Sequence, residues 1–119
     1  LHATGYVSDE ELVEYYNAAN VVAVPSHYEG FGFPVLEGMA CGTPVVTSNT
    51  SSLPEIAGNA AICVDPKSTE AIADGLEAVL TDDAKSRILV NRGKKHVSEF
   101  TWERTAKETR TVYKKVLYD

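Results

Sequence analysis

Glu29 and Glu37 bracket a Gly-x-Gly turn, Gly30-Phe31-Gly32, within the stretch Pro25-Ser26-His27-Tyr28-Glu29-Gly30-Phe31-Gly32-Phe33-Pro34-Val35-Leu36-Glu37. Carboxylates accept hydrogen bonds from sugar hydroxyls, and free amides at a helix start donate to phosphate. The pattern suits a ligand that is both polyhydroxylated and phosphorylated. Gly30 and Gly32 permit close approach that a side chain would block. The amides of Phe31, Gly32 and Phe33 are free to point at an anion, whereas Pro34 has no N–H to give. The spacing places Glu37 in the first turn of the following helix. An acid there also favours the helix dipole by ~0.3–1 kcal/mol, so position alone leaves a structural and a binding role open. His27 is a lone loop histidine, and Tyr28 and Phe31 serve equally as stacking or packing residues. The sequence carries no Asp-x-Asp metal motif and no Ser/His/Asp arrangement.

The elements that must position these residues follow a βαβα rhythm, the pattern of a parallel sheet covered by helices. Thr4 to Val7 reads as the end of a first strand. Ser8 and Glu11 form a capping box, and Leu12, Tyr15, Tyr16 and Ala19 share one face of the helix behind it. Val21 to Pro25 is a continuous apolar run, the mark of a strand buried on both faces. A short helix is predicted over 34–41, with Pro34 in its first turn and Gly42 just past its end. Strands follow at 44–48 and 61–64, the latter closed by Asp65-Pro66. Pro54-Glu55 opens a brief helical turn between them. The last third is helical: Ile72, Leu76, Val79 and Leu80 mark one helix, 84–97 a second, and a third is capped by Thr101. On that third helix Trp102, Thr105, Ala106, Thr109, Val112, Tyr113 and Val116 share a face, with Phe100 and Trp102 as its anchors. The expected fold is therefore α/β, a Rossmann-like parallel sheet of about four strands. Ligands of such sheets bind beyond the carboxyl ends of the strands. The loops at Val7 to Asp9, Glu29 to Phe33 and Ser48 to Ser52 would all lie on that edge.

Composition sets the outer limits. The chain has 119 residues, enough for one domain, and a net charge of −6 with no basic patch, which argues against nucleic acid as a partner. No apolar run approaches the ~20 residues of a membrane helix. The two cysteines, Cys41 and Cys63, lack metal-ligand spacing and read as small core residues of a reduced, cytoplasmic protein. Leu1-His2-Ala3-Thr4 reads as the interior of a longer protein.

The Glu29-x7-Glu37 segment, with Gly30-Phe31-Gly32-Phe33-Pro34 inside it, resembles the E-x7-E motif of retaining glycosyltransferases with the GT-B fold. The likeness is to family 4, the glycosyl transferases group 1, and extends over nearly the whole chain. It includes Gly5-Tyr6-Val7-Ser8-Asp9-Glu10-Glu11-Leu12, Glu37-Gly38-Met39-Ala40-Cys41-Gly42-Thr43-Pro44-Val45-Val46, Leu53-Pro54-Glu55, Val64-Asp65-Pro66 and Phe100-Thr101-Trp102-Glu103. Gly38 departs from the alanine frequent in that family.

The resemblance implies that residues 1–119 are the later portion of a C-terminal nucleotide-sugar-binding domain. It implies a catalytic role for Glu29 at donor-sugar hydroxyls, and donor binding by Gly30, Phe31, Gly32 and Phe33. Glu37 would take the ribose hydroxyls, and Val7 and Asp9 the base. The donor would be a nucleotide-diphosphate sugar, with no cofactor or metal. The acceptor, a sugar, lipid or glycan, would be held by an absent N-terminal domain, and the parent enzyme would be cytoplasmic or peripheral at a membrane. Retention by same-face attack requires no enzyme nucleophile. The Arg and Lys that neutralise the diphosphate would also lie outside this chain, which alone would not turn over substrate. A sugar-nucleotide-binding module without catalysis and a sugar-nucleotide epimerase are the competing readings. The implied loss of two strands beside Val21 to Pro25 bares sheet edges. Residues 1–19 are then expected to re-dock on that strand or to exchange between two chains as a homodimer.

Overall fold

The computed structural model describes residues 1–118. In chain order the elements are α1 (Asp9–Ala18), β1 (Val22–Val24), α2 (Phe33–Ala40), β2 (Val45–Ser48), α3 (Leu53–Ala57), β3 (Ile62–Val64), α4 (Thr69–Thr81), α5 (Asp83–Val97) and α6 (Trp102–Tyr118). The three strands form one parallel sheet in the order β1-β2-β3, with Val22 opposite Val45 and Val46 opposite Ile62.

The central strand β2 is buried throughout, and its alternating side chains divide the core in two. Val45 joins Val24, Val35, Leu36, Met39, Leu53 and Ile56 under α2 and α3. Val46 faces the other way, onto Val64, Val79 and Leu89 under α4 and α5. The polar residues of β2 are buried with partners: Thr47 Oγ1 donates to the Val24 carbonyl at 3.1 Å, and Ser48 Oγ donates to the Ser26 carbonyl. These bonds fix the register of β1 and the start of the loop that follows it.

Close contacts seat α2 on the sheet. A Cβ at Gly38 would stand 3.1 Å from Val22 Cγ2 and 3.2 Å from Val45 Cγ2, so the helix approaches the strands at backbone distance. The end of α2 is a Schellman turn. Gly42, at φ 76°, donates to the Met39 carbonyl at 3.1 Å, and Thr43 N–H donates to the Gly38 carbonyl at 2.9 Å.

Several expectations need correction. Thr4 to Val7 form no strand, so the sheet has three strands and not four. A strand needs a neighbour for its backbone donors and acceptors, and this segment pairs with none; it does not re-dock on β1. The helix behind it nevertheless forms as read. Ser8 Oγ accepts from Glu11 N–H and Glu11 Oε2 accepts from Ser8 N–H, at 3.3 and 2.9 Å. The run at Val21 to Pro25 is an edge strand and is not buried on both faces: Val24 is buried but Ala23 is exposed. Neither cysteine is a core residue; Cys41 is half-buried and Cys63 exposed. α6 is capped by Thr101, whose Oγ1 accepts from Arg104 N–H at 3.1 Å, yet it buries no residue. Phe100 meets Phe31 and His96 edge-on, at centroid distances of 6.4 and 5.1 Å, whereas Trp102 is 76% exposed and anchors nothing in the core.

Candidate donor-binding site

The site is built where β1 hands over to α2. Gly32 is the residue before the helix, at φ 121° and ψ 42°, a conformation closed to most L residues. It swings the chain from the Glu29 loop into Phe33, with Pro34 next in the first turn. Among the described residues, no backbone N–H from Gly30 to Phe33 donates to a protein acceptor. A run of unspent donors therefore lies at the positive end of α2.

Hydroxyls from the β2–α3 loop hold this turn from below. Ser51 Oγ accepts from Glu29 N–H at 3.0 Å. Ser52 Oγ sits 3.0 Å from the Glu29 carbonyl and 2.7 Å from the Phe31 carbonyl. Thr50 Oγ1 donates to the His27 carbonyl at 3.2 Å. Ser51 takes φ 52°, the single non-glycine residue with positive φ among the described residues. Two of the loops expected on this edge, 29–33 and 48–52, thus meet as read. Val7 and Asp9 lie at the N-terminal end of α1, with no strand before them to position them.

Each carboxylate is held by a neighbouring hydroxyl. Ser26 Oγ donates to Glu29 Oε1 at 2.8 Å, a contact within one loop. Tyr16 Oη donates to Glu37 Oε2 at 2.8 Å, across 21 residues of sequence. Glu37 also lies deeper in α2 than the sequence implied. The helix begins at Phe33 and has no acid in its first turn, so the dipole supplies no reason for a carboxylate there, since its effect fades within that turn. Glu37 instead borders an apolar groove of about 550 Å³, walled by Phe31, Phe33, Leu36, Phe100 and Trp102. Phe31 and Phe33 pack against each other with centroids 4.8 Å apart. His27 is exposed, and Lys67 is exposed on the turn after β3. Among the described residues no group of three or more His, Cys, Asp and Glu is placed to hold a metal ion.

Sequence reasoning gave two of these residues no role at the site. Ser26 and Tyr16 stand in stretches that resemble the family, Pro25-Ser26 and Tyr16-x-Ala18-Ala19, but Tyr16 was otherwise only placed on one face of α1 with Leu12, Tyr15 and Ala19. The Tyr16 bond leaves a measurable trace. Burial, then the hydrogen bond to Glu37 and its negative charge, push the phenol well above its usual range. The neutral phenol is the favoured form in the fold. The stabilisation is complete below the unfolded tyrosine value near pH ~10 and is lost as pH rises above it. Alkaline titration of the six tyrosines should therefore show a late tyrosinate absorbance step that disappears in Tyr16→Phe.

The three-stranded parallel sheet with helices on both faces, carrying E-x7-E at the first strand–helix junction, resembles part of a GT-B C-terminal domain. Residues 1–96 match the family described as glycosyl transferases group 1, and the chain belongs to it. It is 44% identical over 110 residues to O-antigen chain mannosyltransferase B of Escherichia coli, covering 92% of this chain and 29% of that protein. It is 36% identical over 121 residues to the MMP alpha-(1->4)-mannosyltransferase of Mycolicibacterium hassiacum, covering 98% of this chain and again 29% of the relative. Among solved structures, a sucrose-phosphate synthase from Thermosynechococcus elongatus superposes with a TM-score of 0.82 at 36% identity, over 95% of this chain and 29% of its own. The C-terminal domain of a glycosyl transferase group 1 family protein from Francisella tularensis gives 0.70 at 32% identity, over 80% of this chain and 50% of its own. The chain spans about three tenths of the length of these curated relatives. No helix among the described residues is long and apolar enough to cross a membrane.

Proposed function

We propose that this chain is the donor-binding part of a retaining glycosyltransferase that uses a nucleotide-diphosphate sugar. The observation that carries the reading is the pairing of two tethered carboxylates, Glu29 on Ser26 and Glu37 on Tyr16, on either side of unspent amides. Glu29 accepts hydrogen bonds from donor-sugar hydroxyls near the reacting carbon. The amides from Gly30 to Phe33 hold the sugar and the distal phosphate. Glu37 takes the ribose hydroxyls, and the Val7 to Asp9 segment lies against the base.

In this reading the acceptor oxygen attacks the anomeric carbon from the face the phosphate leaves. The bond from sugar to phosphate breaks, the glycosidic bond forms, and the acceptor proton passes to the departing phosphate oxygen. The leaving diphosphate needs positive charge. The loop itself offers none, and Lys67 is the nearest cation in sequence to the strand ends. Cationic side chains, and the surface that holds the acceptor, must come from another part of the transferase. Without them the chain binds donor and does not turn it over. The mannosyltransferases among its relatives make a mannosyl donor the first to try.

Ligand-observed NMR against UDP-, GDP- and ADP-sugars tests this. Saturation transfer to the ribose and sugar protons of one donor, displaced by the matching nucleoside diphosphate, is expected. Absence of transfer to all three donors contradicts the reading.

A further inference from the structure

Tyr16 is the tie between two parts of the site that the sheet does not connect. Its hydroxyl donates to Glu37 Oε2 at 2.8 Å, and its backbone carbonyl accepts from Thr43 Oγ1 at 2.6 Å. Thr43 is 4% exposed and lies just beyond Gly42 at the end of α2. One residue of α1 therefore grips both α2 and the turn that ends it. Tyr16 is half-buried and no residue of α1 is fully buried, so a phenylalanine, which keeps the ring, would serve its packing as well. The hydroxyl has a different use.

A glutamate on a helix surface has three rotatable bonds and samples many rotamers. A single O–H donor on one oxygen selects among them without neutralising the charge, as Arg or Lys would. It also uses only one of the carboxylate's roughly four acceptor sites. Oε1 and the second lone pair of Oε2 stay open. A ribose cis-diol presents two O–H donors side by side, which matches two carboxylate oxygens. α1 has 10 residues, about 15 Å of helix, and its other end carries Val7 to Asp9.

We propose that Tyr16 is a positioning residue for ribose recognition: its hydroxyl presets the Glu37 carboxylate for the ribose diol and ties it, through α1, to the segment that meets the base. The inference rests on the role assigned to Glu37 above.

The test is titration calorimetry of ADP, GDP and UDP, each with its 2′-deoxy counterpart, against the wild type, Tyr16→Phe, Glu37→Ala and the double variant. Tyr16→Phe keeps the ring, and its melting temperature is recorded alongside. The expected result is a loss of about 5- to 10-fold in affinity for the ribonucleotide, less than a hydrogen bond to a charged group is worth in full, because the lost bond orients the carboxylate and does not touch the ribose. The preference for ribose over deoxyribose should fall by a similar factor. On the Glu37→Ala background, Tyr16→Phe should cost nothing further. If Glu37→Ala abolishes the ribose preference and Tyr16→Phe leaves it intact, the inference is overturned while the role of Glu37 stands, whatever happens to the melting temperature. If no nucleotide binds, or Glu37→Ala changes no affinity, the role of Glu37 itself fails and the inference falls with it.

Discussion

Gly32→Ala is expected to destabilise the fold by about 3 kcal/mol in urea unfolding and to remove donor binding. Two costs add at this residue. An alanine cannot hold φ 121° without strain. Its Cβ would also stand 2.9 Å from Leu53 Cδ2. Leu53, the first residue of α3, is 0% exposed in the core, so its methyl has nowhere to retreat. Either α3 moves outward or the Gly32 peptide flips, and a flip turns the amides from Gly30 to Phe33 away from an anion. Gly30→Ala is the matched control. A Cβ there meets nothing within 4 Å and the backbone takes no positive φ, so stability should stay within ~0.5 kcal/mol of the wild type. Equal stability of the two variants would mean that Gly32 is not the hinge of the site.

The second large effect falls on chemistry. In a complete transferase, Glu29→Ala should lower kcat by about 100- to 1000-fold, the range for removing one group that stabilises charge at the reacting centre. Nucleoside diphosphate affinity should barely change, because the diphosphate is assigned to the amides and the ribose to Glu37. In this chain alone, the same substitution should erase any affinity advantage of a nucleotide sugar over the bare nucleoside diphosphate. Ser26→Ala frees Glu29 Oε1 from its 2.8 Å bond and should give a smaller loss of the same kind. A Glu29→Ala enzyme that kept kcat but lost nucleotide affinity would exchange the roles of the two acids.

Much of the fold around this site was legible in the sequence because its signals are local. The capping box at Ser8 and Glu11, the proline in the first turn of α2 and the glycine after its end each act within a few residues, and each forms as read. The alternation of strand and helix gave the parallel sheet for the same reason. Long-range partners were not legible. Thr4 to Val7 have strand-like composition, but strand formation depends on a neighbour that a sequence window does not contain. The helix α6 forms as read, but no residue of it is buried, and that could not be read from its amphipathic pattern. Glu37 was placed in the first helical turn because Pro34 was taken as the start; beginning the helix at Phe33 removed the dipole explanation and left the Tyr16 bond in its place. That bond spans 21 residues, and no local pattern announces it.

The central claim is that Glu37 reads the ribose of a nucleotide donor. Its most direct test is the dissociation constant of the preferred nucleoside diphosphate, measured by calorimetry on the wild type and on Glu37→Ala. The account predicts a weakening of about 10- to 100-fold, the loss of one or two hydrogen bonds to a charged group, with no change in the folded state by circular dichroism. An unchanged dissociation constant in a folded Glu37→Ala protein would contradict it.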